Sequence, residues 1–481
     1  MLRRLKKRYR GVSPFSYDDP STEGGKGYKM GSSFKVGDRI RILIRDVAFG
    51  GDGVGRVSDL VLFVPFTVGG DEVEVEIIEV RKRFARGRLV RIVVPSRHRV
   101  DPVCPDYMRC GGCRMQHIAY DHQLELKIRQ IEETFKRIAG IPFPPVLPMI
   151  PSPRSFGWRG KAEFHLAGGR GGPCRMGLMA LASHELVEVE RCGIIDESIN
   201  GKYQGFRDAL RSGALMVPGD RQIIWSDEPG EPPTEIFTGS GRPPDVMRIV
   251  RGRRLTVPGR GFFQANVALV GELVEQVVGM CDLTGRETVI DAYSGAGLFS
   301  LFLGSRAGSL FGIEGDWEAV RCAAINLSRE GLPRAEFLHG DVADILRREF
   351  VMRRARAEVI VLDPPRDGCG DGVLDGVAAL HPQRIVYISC NPPTQARDVR
   401  RLADRGYGLD ILQPLDMFPQ TGHIEVVSLL TGSATDKPRL AVGGRGRNKK
   451  QTTSLPAGNF TKTTSAGAVF PISHPDGPKG S

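Results

Sequence analysis

The sequence predicts an α/β protein: a Rossmann-like, doubly wound domain in its C-terminal half, preceded by an OB-like β-barrel and a mainly antiparallel central domain that carries a cysteine loop. Three observations predict it. Residues 34–94 read as short apolar runs of period two between Gly-rich turns, the mark of a small closed barrel. From residue 264 onward, strand-like apolar runs alternate with helical patterns, the layout of a parallel sheet. Between them lies VCPDYMRCGGCRMQH, with three cysteines in one short loop.

Composition bounds the answer. The 481 residues are enough for two or three domains, and 41% hydrophobic with 26% charged residues are ordinary globular values. No run of about 18 apolar residues occurs, which excludes a helical membrane span. The basic start MLRRLKKRYR leads into GVSPFSYDDP rather than an apolar segment, so it does not read as a secretory signal, and the cytoplasm is the expected compartment. There nine cysteines imply metal ligation, catalysis or burial rather than disulfides.

The net charge of +11 sits entirely in the two ends: residues 1–30 carry +5 and residues 432–481 carry +6. Both ends are rich in Gly, Ser, Thr and Pro without apolar periodicity. Residues 1–31 and 432–481 are therefore expected to be disordered basic arms.

The elements follow in order. The barrel is expected over residues 32–95, from RIRILIRDVA through GRLVRIVV. Residues 81–99 hold eight Lys/Arg, no acid, and Phe84. Basic groups with an aromatic among them provide phosphate contact and base stacking, so single-stranded nucleic acid is the expected partner.

The central domain is expected over residues 96–262. Cys104, Cys110 and Cys113, spaced x5 and x2, are soft ligands suited to zinc or an iron-sulfur cluster. Either needs a fourth ligand, and spacing leaves Cys174, Cys192 and more distant cysteines open. A helical pattern runs through residues 124–138. KAEFHLAG, GLMALASHELVEVE, RQIIWS and DVMRIVRG read as strands and residues 200–212 as a helix.

Residues 263–431 make the doubly wound domain. DAYSGAG, residues 291–297, is a strand-to-helix turn where backbone can approach a ligand closely, and Glu314 closes the next strand, where a carboxylate can hold two ribose hydroxyls. No phosphate loop accompanies them, which favours S-adenosylmethionine over a nucleotide triphosphate. Asp363 in LDPPR and Cys390 in YISCNPP tip two further strands, Cys390 as a nucleophile candidate. Glu425 lies in an apolar strand, where desolvation raises a carboxyl toward base strength. Cys174, Cys281, Cys322 and Cys369 have no such context and read as structural.

FFQAN, DAYSGAG, LDPPR, YISCNPPT and FPQTGHIE, in that order behind the cysteine loop and the barrel, resemble the RNA uracil-5-methyltransferase family over residues 32–430. The barrel resembles the TRAM domain of RNA-modifying enzymes. The resemblance implies a class I methyltransferase domain and [4Fe-4S] ligands at Cys104, Cys110, Cys113 and Cys192. It implies S-adenosylmethionine contacts at Gln264, Tyr293, Glu314 and Asp363, a nucleophile at Cys390 and a base at Glu425. RNA is the implied substrate, 23S rRNA before tRNA, and a monomer is expected. Two departures are Ser294, where many members have Cys, and CNPPT for the commoner CNPAT.

The chemistry explains the residue types. C5 of uracil is too weak a nucleophile to take a methyl group unless a thiolate first adds to C6, and a base must then remove the C5 proton. The uridine must be extruded from folded RNA, with Phe262 or Phe263 available to stack on it or to pack in the core. Asp-Pro-Pro also resembles amino-methyltransferases, but Arg366 stands where their aromatic would. A non-catalytic RNA-binding protein is the other alternative.

Overall fold

A computed structural model describes residues 34–432, apart from 58–59, 169–173, 214–218, 239–240 and 333; the two expected basic arms lie outside the described residues except for Gly432. Five strands, β1 (Arg39–Val47), β2 (Asp52–Val57), β3 (Leu60–Pro65), β4 (Glu72–Val80) and β5 (Phe84–Val94), close into a barrel in the order β1-β2-β3-β5-β4. Alternation does the sorting: Val73, Val75 and Ile77 of β4 point into the core with Ile42, Ile44, Leu62 and Val64, while Glu72, Glu74 and Glu76 face outward.

Helix α1 (Tyr120–Thr134) follows the cysteine loop and continues as a wider turn over Phe135–Ala139. Although it lies in the first third of the sequence, it packs on the C-terminal sheet: Ile131, Phe135 and Met149 share a core with Ile290, Ile360 and Leu412. Residues 146–150 run beside the edge strand of that sheet, bridging Leu412 and Leu415.

The central sheet has the order β10 (Thr234–Phe237), β9 (Arg221–Trp225), β6 (Lys161–Ala167), β7 (Arg175–Met179), β8 (Leu186–Val187), with α2 (Glu197–Arg211) on one face. It is antiparallel throughout, as expected. GLMALASHELVEVE forms no single strand; a turn after Met179 splits it into β7 and β8. The hairpin β11 (Asp245–Val250) and β12 (Arg253–Pro258) packs its apolar face with the following domain, in one core with Leu273 and Val277.

The C-terminal sheet has seven strands in the order β15-β14-β13-β16-β17-β19-β18. β13 (Thr288–Ala292), β14 (Ser309–Glu314), β15 (Ala335–His339), β16 (Val359–Leu362) and β17 (Arg384–Ser389) are parallel; β19 (Glu425–Gly432) enters antiparallel between β17 and β18 (Tyr407–Leu415). The helices are α3 (Val270–Cys281), α4 (Leu298–Leu303), α5 (Trp317–Glu330), α6 (Val342–Ile345), α7 (Asp371–Ala379) and α8 (Pro392–Ala403). Central strands are buried on both faces, which is why β16 reads Val-Ile-Val-Leu without alternation. Strand order reverses between β13 and β16, so the crevice outside their carboxyl ends is the natural ligand position of this topology.

Candidate active site

Two loops and one register build the site. At the end of β13 the chain turns through Tyr293 (φ 64°), Gly295 (φ 54°) and Gly297 (φ 83°) before entering α4. Left-handed backbone suits the two glycines, whereas Tyr293 is strained there. The turn is held by the Glu314 carboxylate, which accepts from the backbone N–H of Gly295 (2.9 Å) and of Asp316 (2.8 Å). Ser294 lies within this turn: its N–H donates to Ile313 O, and its side chain is buried.

Across the switch point, Asp363 follows β16 and its N–H donates to Ala292 O at 3.3 Å. Burial, then the neighbouring Asp291 and Glu314 carboxylates, push the Asp363 carboxyl up to about 7. Asp291, wholly buried and accepting from the Ser300 hydroxyl at 2.5 Å, is likewise raised by burial to about 7. Two carboxyl groups raised by burial, Asp291 and Asp363, form with the neighbouring Glu314 carboxylate a cradle that a cation would relieve.

Register places the nucleophile candidate beside the base candidate. β17 and β19 pair Ser389 with Val426, so the next rung sets Cys390 alongside Glu425. Glu425 is 3% exposed, and burial, reinforced by Asp363, holds its carboxyl well above the ordinary range. Burial and the Glu425 charge raise the Cys390 thiol, while the Arg366 guanidinium beside it pulls the other way. The Arg366 carbonyl accepts from Asn391 Nδ2 (2.9 Å) and Thr394 Oγ1 (3.0 Å), which ties LDPPR to CNPPT and brings the guanidinium to the thiol. Pro392 and Pro393 occupy the first turn of α8, where proline is tolerated. Sequence reasoning weighed Arg366 only as the absence of an aromatic; here it is the cation that faces both Cys390 and Glu425.

Of the FFQAN pair, Phe263 is core at 8% exposure and Phe262 is exposed at 76%, so Phe262 alone is free to meet a base. Gln264 is buried, as is Asn266, which donates to Ser152 Oγ at 2.9 Å.

The four cysteines Cys104, Cys110, Cys113 and Cys192 line one cavity of about 340 Å³, while Cys174 does not reach it. Gly111 N–H donates to Met179 O at 3.0 Å and pins the loop to β7; Asn200 Oδ1 accepts from Cys192 N–H at 3.0 Å and fixes the opposite side. Burial pushes the Cys113 thiol up to about 12 and Cys192 to about 11, so thiolates here require bound positive charge. Among the described residues no three such side chains close tightly enough around one point to hold a single metal ion. A polynuclear cluster takes one thiolate per iron and so spreads its ligands more widely, and the four-thiol cavity fits that case.

The basic stretch expected to meet nucleic acid is partly paired within the barrel. Five of the eight cations of residues 81–99 are paired: Arg81 and Arg86 with Glu79, Arg88 with Glu76, Arg91 with Glu74, and Arg99 with buried Asp71. Among the described residues Lys82 and Arg83, beside Phe84, form no ion pair. The exposed pairs are weak and exchange readily for phosphate, whereas Arg99–Asp71 is structural.

Residues 33–90 match the family model of the TRAM domain and residues 250–433 that of tRNA (Uracil-5-)-methyltransferase. An uncharacterized RNA methyltransferase of Clostridium acetobutylicum is 31% identical over 455 residues, spanning 82% of this chain and 97% of its own length. One of a Nostoc species is 32% identical over 460 residues, spanning 84% and 99%. The solved Pyrococcus abyssi tRNA (uracil-54, C5)-methyltransferase, in complex with S-adenosyl-L-homocysteine, superposes with a TM-score of 0.63 at 23% identity, over 82% of this chain and all of its own. That likeness is one of fold.

Proposed function

The chain belongs to the RNA (uracil-5-)-methyltransferase family, and from that premise we propose that it methylates C5 of a uridine in RNA, with S-adenosylmethionine as methyl donor and 23S rRNA as substrate. The observation that carries the chemistry is the adjacency of Cys390, just past the end of β17, and Glu425, at the start of β19, with Arg366 at both. The RNA assignment rests on the resemblance of the barrel and four-cysteine loop, taken together, to rRNA enzymes. It acts as a monomer in the cytoplasm in this reading.

The Cys390 thiolate adds to C6 of the extruded uracil, and its charge moves to an enolate spanning C5 and O4, with Arg366 as the cation beside the thiolate. C5 then displaces the methyl group from the sulfonium, leaving S-adenosylhomocysteine. Glu425 takes the C5 proton, the pair left behind re-forms the C5–C6 double bond, and the C6–S bond breaks to return the thiolate. A carboxyl raised by burial is a stronger base than a solvated one, which suits this proton transfer.

Gln264, Tyr293, Glu314 and Asp363 surround the cofactor crevice in this reading, and the acidic cradle accounts for a cationic cofactor. Cys104, Cys110, Cys113 and Cys192 would hold a [4Fe-4S] cluster, which when bound supplies the positive charge that keeps four buried thiols as thiolates. Phe262 stacks on a base, and Lys82 and Arg83 contact phosphates.

The test is nucleoside mass spectrometry after anaerobically purified protein and methyl-labelled S-adenosylmethionine meet unmodified 23S rRNA or, separately, tRNA. Label in 5-methyluridine from rRNA, abolished by Cys390→Ala, is the expected result. Label from tRNA alone overturns the rRNA assignment. Label in an amine-methylated base that survives Cys390→Ala overturns the mechanism.

A further inference from the structure

Residues 416–424 form a strap from β18 into Glu425, and three separate parts of the chain grip it. The carbonyl of Gln420 accepts from the backbone N–H groups of Arg114 and Met115, both at 3.0 Å, the two residues that follow Cys113. On α1, Gln123 Nε2 donates to Gln420 Oε1 (3.0 Å) and Gln123 Oε1 accepts from Gln420 N–H (3.1 Å). Gln123 is wholly buried and also donates to Met115 O (3.1 Å) and Ile118 O (2.8 Å), so its amide joins the loop, the helix and the strap in one network.

One turn along α1, Lys127 Nζ donates to Asp416 Oδ1 (2.6 Å) and Phe418 O (3.1 Å), both charged side chains being fully buried. From the barrel, the Gly50 backbone presses on Gly422 so closely that a Cβ there would lie 2.5 Å from the Gly50 carbonyl carbon. Gln420 itself stands at φ 67°, a conformation that persists in a non-glycine residue only when its surroundings impose it.

We propose that Gln123 is a positioning residue for Glu425: by holding Gln420 in its left-handed conformation it sets where the strap delivers the base to C5, without itself touching substrate. The proposal rests on the reading of Cys390 as nucleophile and Glu425 as base. It has a specific kinetic consequence. Addition of Cys390 to C6 and methyl transfer to C5 precede the work of Glu425. A loosened strap slows the transfer of the C5 proton to Glu425, and with it the breaking of the C6–S bond, so methylated RNA stays attached to Cys390.

The full chain carrying Gln123→Met, a substitution that keeps side-chain length and removes the amide, is given S-adenosylmethionine and whichever unmodified transcript, 23S rRNA or tRNA, the wild type labels. Denaturing gels read the RNA–protein adduct, and kinetics separate kcat from KM. The expected result is a fall in kcat of about tenfold, KM values within about twofold of wild type, and an adduct that accumulates where the wild type shows little. A fall in kcat without adduct, or no change, overturns the proposal. Gln420→Met carries the same test with the same two outcomes if Gln123→Met does not fold, as melting reports. Wild-type protein with 5-fluorouridine-substituted transcript separates the premises, because fluorine at C5 leaves no proton to remove. No adduct at Cys390 in that control sinks the underlying mechanism, whereas an adduct there with none in Gln123→Met sinks only the role of Gln123.

Discussion

Lowering the pH should weaken cofactor binding through Asp363. Its carboxyl is raised by burial and by Asp291 and Glu314 to about 7, so it is mostly ionised above that value and mostly protonated below it. A cationic ligand favours the carboxylate; affinity is therefore full above the raised pKa and lost as pH falls through it. With one such group the ionised fraction goes from about nine-tenths at about pH 8 to about one-tenth at about pH 6, an affinity change of about tenfold, or about 1.4 kcal/mol. Asp291, raised to a similar value, deepens the drop where it titrates in step. Isothermal calorimetry across that range measures it, with S-adenosylhomocysteine, which lacks the sulfonium charge, as the control with the smaller shift. Asp363→Asn should bind more weakly at about pH 8 and lose most of the pH dependence. A flat profile for S-adenosylmethionine in the wild type, or an unchanged slope in Asp363→Asn, would refute the electrostatic argument.

Two further outcomes are expected. Cys192→Ser should lower iron and acid-labile sulfide content to a small fraction of wild type and lower the melting temperature, since the loop between β8 and α2 would lose its thiolate link to the cluster; full iron content in that variant would remove Cys192 from the ligand set. Replacing Lys82 and Arg83 together by Ala should weaken RNA binding and reduce the salt slope by about 1 to 2, read by titration at several salt concentrations, while Arg99→Ala should instead lower the melting temperature by exposing the cost of buried, unpaired Asp71.

Much of the site could be read from the chain because strand ends and tight turns announce themselves locally. DAYSGAG, LDPPR and YISCNPP each put a reactive or polar residue just past an apolar run, and those residues stand at the carboxyl ends of β13, β16 and β17. The four cysteines of the cysteine loop and of the turn after β8 share one cavity. Helices α6 to α8 and strands β10, β12 and β18 escaped notice: α6 and β10 are four residues long, too short for a period to emerge. The pairing within the basic run of residues 81–99 could not be read from the chain, because Glu74 and Glu76 lie on β4 and only strand register brings them opposite Arg91 and Arg88.

By itself the sequence determined the elements with strong local periods, the order of the domains along the chain, and which residue types carry reactive chemistry. Tertiary structure alone decided what faces what. Cys390 lies beside Glu425 because β19 enters antiparallel next to β17, a pairing across more than thirty residues that no local pattern encodes. Phe262 and Phe263 are neighbours of equal hydrophobicity, and only packing buries one and exposes the other. Gln123 and Gln420 are nearly three hundred residues apart and chemically unexceptional; their role exists only because α1 docks on the C-terminal sheet, where two buried amides must satisfy each other.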